Sequence, residues 1–307
     1  MYQIKNVLIG LDGSKMDADL LQYASYLVSI SDVEKVVFVN FIKNLQVPAE
    51  VLKEFPDLVD RAVDERKDGL KKKVGEHFDL SQKLEYKYVV EESSILKGYL
   101  RLASDFDIDL IIIGRKIHLK GSGVLAQRLA RRAACSLLIV PEGTNSEVRR
   151  IMVPMDYSDY SKKALERSIC LAERVSPNAE VISCNVYEVP VGYHYTGKSF
   201  EEFAEIMKAN ARKDFDKVLQ EISTNDINVR DIYSLNDNDD PIDNLYYEGK
   251  KVKADLMVIG AKGRTATTAM FLGSVAERLI VLDKEFPLMV VRPKGKNAGI
   301  FDMLMEI

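Results

Sequence analysis

Short apolar segments alternate with amphipathic segments along the chain, and the alternation is clearest in the second half. The apolar segments there are continuous runs rich in Val and Ile, at residues 150–154, 180–186, 229–234, 255–260 and 287–291. Continuous runs are typical of strands that are buried on both faces of a parallel sheet. The pattern predicts an α/β fold in which right-handed crossovers place helices on both faces of a five-stranded parallel sheet.

Capping residues mark the start of two helices in this half. Ser199 and Glu202 have the spacing of a capping box, and Asp239-Asp240 precede Pro241 in a predicted first turn. The apolar stripe of the helix after Ser199 consists of Phe203, Ala204, Met207, Ala211, Phe215, Val218 and Ile222. The stripe predicts the buried face of this helix.

The chain repeats itself once. NVLIGLDGS at 6–14 matches RIMVPMDYS at 150–158, and DIDLIIIGRK at 107–116 matches KADLMVIGAK at 253–262. A repeat of this length is too long for a solenoid and fits two whole domains, joined here by a polar linker. We predict two tandem doubly wound domains and a C-terminal tail, at residues 1–142, 148–293 and 294–307.

The composition is that of a globular chain without a membrane span. Of the 307 residues, 47% are hydrophobic and 29% are charged, and the formal net charge is −4. This acidic balance argues against a nucleic-acid partner, and no apolar run approaches the ~20 residues of a transmembrane helix. No signal segment is visible at the N-terminus, so we expect a cytoplasmic protein with no membrane partner.

The cysteine and histidine residues argue against a disulfide framework and against a metal site. Cys135, Cys170 and Cys184 are odd in number, lie in apolar surroundings and form no C-x-x-C motif, so we expect buried, reduced thiols. The three histidines share no ligand spacing. We predict no metal site formed by the protein alone.

The stretch GAKGRTATTAMFLGS at 260–274 has the features of a ligand-binding loop. In an open parallel sheet, ligands bind beyond the carboxyl ends of the strands at the switch point, where Asp156 and Gly260 are expected to end neighbouring strands. Gly260 and Gly263 permit backbone conformations that a side chain forbids, and they let a ligand approach the main chain.

The end of this stretch predicts a phosphate site. Gly273-Ser274 directly precedes a helical pattern, and the N–H groups and dipole at a helix start favour an anion. Lys262 and Arg264 add positive charge. The stretch is not a Walker A loop, because no G-x-x-x-x-G-K-[ST] occurs in the chain. Phosphate or nucleotide binding is the function that these residues indicate.

The pattern G-x2-G-x9-G-[ST], with an Asp at the end of the first strand, resembles the signature of the ATP-binding branch of the universal stress proteins. The second half resembles that family at VPMDYS, NVY, DLMVIGAKG, LGSVAERL and PLMVV, and the chain is similar to the tandem, two-domain type. The resemblance implies an adenine-nucleotide alpha hydrolase-like fold and ATP as the ligand. We expect Mg²⁺ to accompany the ATP, near Asp156. The nucleotide contacts that the resemblance implies are Pro154, Met155, Asp156, Val186, Ile259, Gly260, Gly263, Gly273, Ser274 and Val275, to which Lys262 and Arg264 add charge.

The first half departs from this pattern in its loop. It keeps Asp12, Gly114 and Gly121-Ser122, but Ile117 stands at the place of the second glycine and the loop is six residues shorter. A β-branched side chain does not easily take a left-handed backbone angle, and a shorter loop cannot wrap a triphosphate in the same way. We predict that the N-terminal domain binds ATP weakly or not at all.

Three functions stay open at this point. The resemblance favours an ATP-binding stress-response regulator, in which the nucleotide tunes conformation or the binding of an unknown protein partner. A slow ATPase or autophosphorylating enzyme is the second, with Ser274, Thr265, Thr267 or Thr268 as phosphate acceptor. A nucleotide-free scaffold is the third.

Two further features leave alternatives open. The segment YEVPVGYHYTGK at 187–198 is either a lid over the crevice or a surface loop. The resembling family pairs its edge strands across a dimer, so the corresponding strands at 136–140 and 287–291 fit either a monomer with pseudo-dimeric halves or a homodimer.

Overall fold

The computed structural model describes residues 3–42, 45, 47–119, 121, 123–176, 178–237, 240–263, 272–282 and 285–293. These residues form two compact units: unit 1 runs to Ser146 and includes Pro293, and unit 2 runs from Glu147 to Arg292. Several residues singled out above lie outside the described residues, namely Ser122, Asp239, Arg264, Thr265, Thr267, Thr268 and the tail 294–307.

Unit 1 is built around a parallel sheet with the strand order β3-β2-β1-β4-β5. Its elements in chain order are β1 (Asn6–Gly10), α1 (Met16–Ser29), β2 (Lys35–Ile42), α2 (Ala49–Glu54), α3 (Leu58–His77), β3 (Glu85–Glu92), α4 (Ile95–Asp105), β4 (Leu110–Arg115), α5 (Val124–Arg132) and β5 (Ser136–Pro141).

Unit 2 repeats this topology with the strand order β10-β9-β6-β7-β8, again parallel. Its elements are β6 (Arg150–Pro154), α6 (Asp159–Val175), β7 (Glu180–Tyr187), a short 3-10 helix (Tyr193–Thr196), α7 (Phe200–Glu221), β8 (Asn228–Leu235), α8 (Pro241–Val252), β9 (Leu256–Gly260), α9 (Ser274–Leu282) and β10 (Leu288–Val291). The predicted α/β fold with parallel sheets is confirmed.

The helix starts of unit 2 follow the predicted capping residues. Ser199 Oγ accepts a hydrogen bond from the Glu202 amide at 3.2 Å, and the Ser199 amide donates to Glu202 Oε2 at 2.8 Å. Asp240 Oδ1 accepts from the Ile242 amide at 2.9 Å, and Pro241 opens α8. Along α7, Phe203 and Met207 are half-buried, whereas the other members of the predicted stripe are buried.

A repeated aspartate holds the start of the first strand in each unit. Asp255 Oδ2 accepts hydrogen bonds from the amides of Arg149 and Arg150, at 3.0 and 2.8 Å. Asp109 Oδ2 accepts from the amides of Lys5 and Asn6 in the same way, at 2.8 and 2.9 Å. The recurrence of this aspartate in both halves therefore has a structural cause, because each carboxylate satisfies two backbone donors at a strand end.

The cysteines match the expectation only in part. Cys135 and Cys184 are buried, but Cys170 is half-exposed on α6, and none of the three is in a disulfide. Among the described helices, none is long and apolar enough to cross a membrane.

Candidate functional site

A cavity of about 260 Å³ lies at the carboxyl ends of the strands of unit 2. Its volume is near the lower end of the range of roughly 300–1,000 Å³ for small-molecule sites. Every predicted site residue that the structure describes lines it, and Arg264 lies outside the described residues. The full lining is Pro154, Met155, Asp156, Ser161, Cys184, Val186, Pro241, Leu245, Ile259, Gly260, Lys262, Gly263, Gly273, Ser274, Val275 and Ala276.

The cavity lies at the switch point of the sheet. β6 pairs with β7 on one side and with β9 on the other. After β6 and after β9, the chain therefore continues toward opposite edges of the sheet. Loops diverge at such a point and leave a crevice between them. This arrangement explains why Asp156, just after β6, and Gly260, at the end of β9, line the same cavity.

One side of the cavity is apolar and is fixed by main-chain hydrogen bonds. The Met155 amide donates to the Cys184 carbonyl at 2.8 Å, and Asn185 Nδ2 donates to the Met155 carbonyl at 2.8 Å. Asn185 is buried, and through this bond it sets the path of the chain after β6. Burial raises the pKa of the Cys184 thiol to about 12, so this lining group stays protonated at neutral pH.

An ion pair connects the two helices that flank the cavity. Arg278 of α9 donates to Asp240 Oδ2 at 2.5 Å, and Asp240 also caps the start of α8. The Arg278 hydrogen bond and the Ile242 amide together hold the pKa of Asp240 below its usual value. The sequence motifs did not point to Arg278, although its position one turn after the Gly-Ser start of α9 was a usable signal.

The three glycines of the loop are closely packed at the place where a Cβ would lie, and at Gly260 the contact is with main chain. A Cβ at Gly260 would lie 2.6 Å from the carbonyl carbon of Tyr160, and a Cβ at Gly263 would lie 2.8 Å from Asp156 Oδ2. A Cβ at Gly273 would lie 3.2 Å from the Gly263 amide nitrogen. None of these three glycines has a positive φ, so the expectation of a special backbone angle at Gly260 and Gly263 is wrong.

The aspartate at the end of β6 is held by the start of α6. Asp156 Oδ1 accepts hydrogen bonds from the Ser158 amide at 3.1 Å and from Ser158 Oγ at 2.6 Å. Tyr157, between them, has a φ of 63°, which a non-glycine residue rarely adopts. The equivalent position in unit 1 is Gly13, with a φ of 85°.

Positive charge and a helix start lie at the glycine side of the cavity. Lys262 Nζ is 5.4 Å from the centre of the Tyr160 ring, and Lys163 Nζ is 5.7 Å from it. Ser274 and Val275 open α9, where backbone N–H groups lack helical partners and the helix dipole favours an anion. This side can therefore bind a negatively charged group.

The matching loop in unit 1 is closed by an ion pair. Lys116 Nζ lies 2.6 Å from Asp12 Oδ2, at positions equivalent to Lys262 and Asp156. Partial burial opposes ionisation of Asp12, but the hydrogen bonds from Lys116 and Ser14 outweigh it and lower the pKa of Asp12 to about 2.

This pKa predicts an acid-sensitive contribution to the stability of unit 1. Because the folded pKa is below the unfolded value of about 4, the contribution is present above pH ~4 and is lost as the pH falls through about 2. We expect Lys116→Met to weaken the dependence of the free energy of unfolding on pH in this range. Urea unfolding of unit 1 between pH 5 and 2 measures this dependence. Lys15→Met is the control, and an unchanged slope in Lys116→Met would contradict the assignment.

The segment 187–198 is a surface loop in this structure. The ring of Tyr193 packs at 5.6 and 6.3 Å from the rings of Phe200 and Phe203, whereas Val191 and Tyr195 are 91% and 87% exposed. All residues of this segment are described, and none of them lines the cavity.

The fold and the crevice define a doubly wound α/β protein made of two repeated units. The profile of the Universal stress protein family matches residues 3–141 and again residues 147–292. The chain belongs to the universal stress protein family, which implies a role in the stress response.

Individual relatives agree with this assignment. A universal stress protein of Methanocaldococcus jannaschii is 30% identical over 161 residues, which are 52% of this chain and 90% of the relative. The crystal structure of a universal stress protein from Archaeoglobus fulgidus has a TM-score of 0.63 at 15% identity, covering 96% of this chain and 100% of that chain. A putative universal stress protein from Pseudomonas aeruginosa has a TM-score of 0.62 at 15% identity, covering 99% of this chain and 98% of that chain. At these identities the solved structures show a shared fold only.

Proposed function

We propose that the protein is an ATP-binding regulator of the stress response, with one nucleotide site in unit 2. In this proposal the bound nucleotide tunes the conformation of the protein or its binding to a protein partner. The observation that carries the proposal is the cavity of unit 2, which joins an apolar side to a side with glycines, positive charge and a helix start.

The apolar side suits the base and the ribose of a nucleotide. Pro154, Met155, Val186 and Leu245 supply a slot of apolar side chains, and the chain around it is fixed by the Asn185 hydrogen bond. A preformed apolar slot binds a flat ring without the free-energy cost of reorganising the protein. Asp156 lines the same cavity, and in this proposal its carboxylate binds the sugar or a magnesium ion that accompanies the phosphates.

The other side suits the phosphates. Gly263 and Gly273 line the cavity without side chains that would cover the main chain, and the start of α9 at Ser274 favours an anion. Lys262 stands at this side with its ammonium group over the Tyr160 ring, from where it can reach a phosphate oxygen. ATP matches both sides of the cavity in one molecule.

Turnover of ATP is the less favoured function. The described lining of the cavity includes the carboxylate of Asp156 and the hydroxyls of Ser161 and Ser274, but no histidine to serve as a general base. The lining therefore favours ATP held as a ligand over ATP hydrolysed or transferred.

Calorimetric titration of nucleotide-free protein with Mg-ATP tests the proposal. We expect one ATP per chain with a dissociation constant below 1 mM, a scale that corresponds to about 4 kcal/mol of binding free energy. Chromatography of the same mixture after an hour is expected to find ATP intact. Release of ADP would support the enzyme instead, and absence of binding at millimolar ATP would support the scaffold.

A further inference from the structure

The base side of the cavity in unit 2 has a counterpart in unit 1 that can be located by strand register. In unit 1, Gly10 pairs with Val39, and Phe41 follows two residues later on β2. In unit 2, Pro154 pairs with Cys184, and Val186 follows two residues later on β7. Gly10 therefore corresponds to Pro154, and Phe41 corresponds to Val186.

The helices give the third correspondence. Tyr99 is the fifth residue after Ser94, the residue that precedes α4. Leu245 is the fifth residue after Asp240, the residue that precedes α8. Because α4 and α8 follow equivalent strands, Tyr99 occupies the position in unit 1 that Leu245 occupies in the lining of the cavity.

Aromatic side chains fill this position in unit 1. The ring of Tyr99 packs edge-on against Phe41, with 5.0 Å between the ring centres, and Tyr99 is only 5% exposed. A Cβ at Gly10 would lie 1.4 Å from the Tyr99 hydroxyl oxygen, so the phenol reaches the main chain of β1. A nucleotide base in unit 1 would need the space that the Tyr99 ring occupies.

Two glycines in unit 1 make room for the two rings. Besides Gly10 beneath the Tyr99 hydroxyl, Gly98 faces Phe41, where a Cβ would lie 2.2 Å from Cε1 of the ring. The corresponding residues in unit 2 are Pro154 and Asn244, which carry side chains. In unit 1, the two large aromatic rings therefore lie beside glycines. In unit 2, the smaller side chains at the same two positions correspond to neighbours that carry side chains of their own.

We propose that unit 1 contains a filled copy of the unit 2 cavity, in which Tyr99 and Phe41 take the place of a nucleotide base and the Lys116–Asp12 ion pair closes the opposite end. The identity of the excluded ligand as a nucleoside rests on the function proposed for unit 2. The filling excludes adenosine as well as ATP. The short loop around Ile117 is then not the sole barrier, and lengthening that loop alone does not restore binding.

Removal of the Tyr99 ring tests whether it fills a ligand-sized space. We expect Tyr99→Ala to lower the melting temperature of unit 1, and 4-methylphenol, which replaces the lost side chain, to restore several degrees. The compound is expected to leave the wild type unchanged. Tyr195→Ala removes an exposed tyrosine and is the matched control, because it leaves no cavity for the compound to enter.

Replacement of both rings by the corresponding residues of unit 2 tests whether the emptied space binds a nucleoside. Phe41→Val, Tyr99→Leu and Lys116→Ala are combined with Gly263→Val, so that the unit 2 cavity does not contribute to the signal. We expect millimolar adenosine to slow amide hydrogen exchange around residues 7–12 and 95–102 in this variant, and not in Gly263→Val alone. The inference is overturned if 4-methylphenol gives no rescue and adenosine gives no protection. Neither readout depends on whether wild-type unit 2 binds ATP, which is measured separately.

Discussion

Gly263→Val is expected to lower the affinity for Mg-ATP by a factor of about 100 or more, equivalent to about 3 kcal/mol of binding free energy. A Cβ at Gly263 would lie 2.8 Å from Asp156 Oδ2. The main chain of Gly263 is also close to Gly273, because a Cβ on Gly273 would lie 3.2 Å from the Gly263 amide nitrogen. The valine methyl groups would push Asp156 aside and occupy the volume proposed for the phosphates. Calorimetric titration of the variant against the wild type measures the loss.

Gly69→Val is the matched control, because a Cβ at Gly69 on α3 meets no other atom within 4 Å. It is expected to keep the wild-type affinity for Mg-ATP. Circular dichroism of Gly263→Val checks that unit 2 still folds. Wild-type affinity in a folded Gly263→Val protein would remove the glycine stretch from the proposed site.

Gly260→Ala is expected to destabilise unit 2 by about 3 kcal/mol, the upper part of the range for overpacking a core position. The added Cβ would meet main-chain atoms, 2.6 Å from the carbonyl carbon and 2.7 Å from the carbonyl oxygen of Tyr160. Main chain cannot rotate out of the way as the end of a side chain can, so α6 would have to move off β9. Urea unfolding, followed by hydrogen exchange of peptides from each unit, measures the loss in unit 2 alone.

The repeated chain offers a matched control for this substitution as well. Gly114, the next-to-last residue of β4 in unit 1, corresponds to Gly260 at the end of β9, but a Cβ there would meet the terminal methyl group of Met16 at 2.4 Å. Methionine is flexible and can shift, so Gly114→Ala is expected to cost about 1 kcal/mol. Equal losses in the two variants would contradict the distinction between main-chain and side-chain contacts.

The features of the fold that are local in sequence could be predicted from the sequence. Strands buried on both faces appear as continuous apolar runs, and helix starts carry their own capping residues, as at Ser199 and Asp240. The glycine stretch could be placed beside Asp156 because a doubly wound sheet brings β6 and β9 together at the switch point. These inferences need only periodicity and topology.

The features that depend on contacts through space could not be predicted. The sequence pattern suggests special backbone angles at Gly260 and Gly263, whereas in the structure the main chain of Tyr160 leaves no space for a Cβ at Gly260, and the carboxylate of Asp156 lies close to the place of a Cβ at Gly263. Likewise, Phe41 and Tyr99 are far apart in the sequence and carry no motif, so the packing of the Tyr99 ring against Phe41 and Gly10 is visible only in the folded unit. The shorter loop of the first half was apparent in the sequence, but the close packing of Tyr99 and Phe41 in unit 1 was not.

The asymmetry between the units has a consequence for regulation. If only unit 2 exchanges nucleotide, then a nucleotide-dependent change starts at the residues that line its cavity and at α9. The ion pair between Arg278 and Asp240 then connects the phosphate side of the cavity with α8 on the base side.

Hydrogen exchange of the wild-type chain with and without saturating Mg-ATP tests the central claim most directly. One site in unit 2 predicts slower exchange in peptides that cover residues 154–161, 257–263 and 273–279. It also predicts unchanged exchange in the unit 1 peptides that cover residues 10–17 and 110–119. Protection of both sets of peptides, or of the unit 1 set alone, would contradict a single nucleotide site in unit 2.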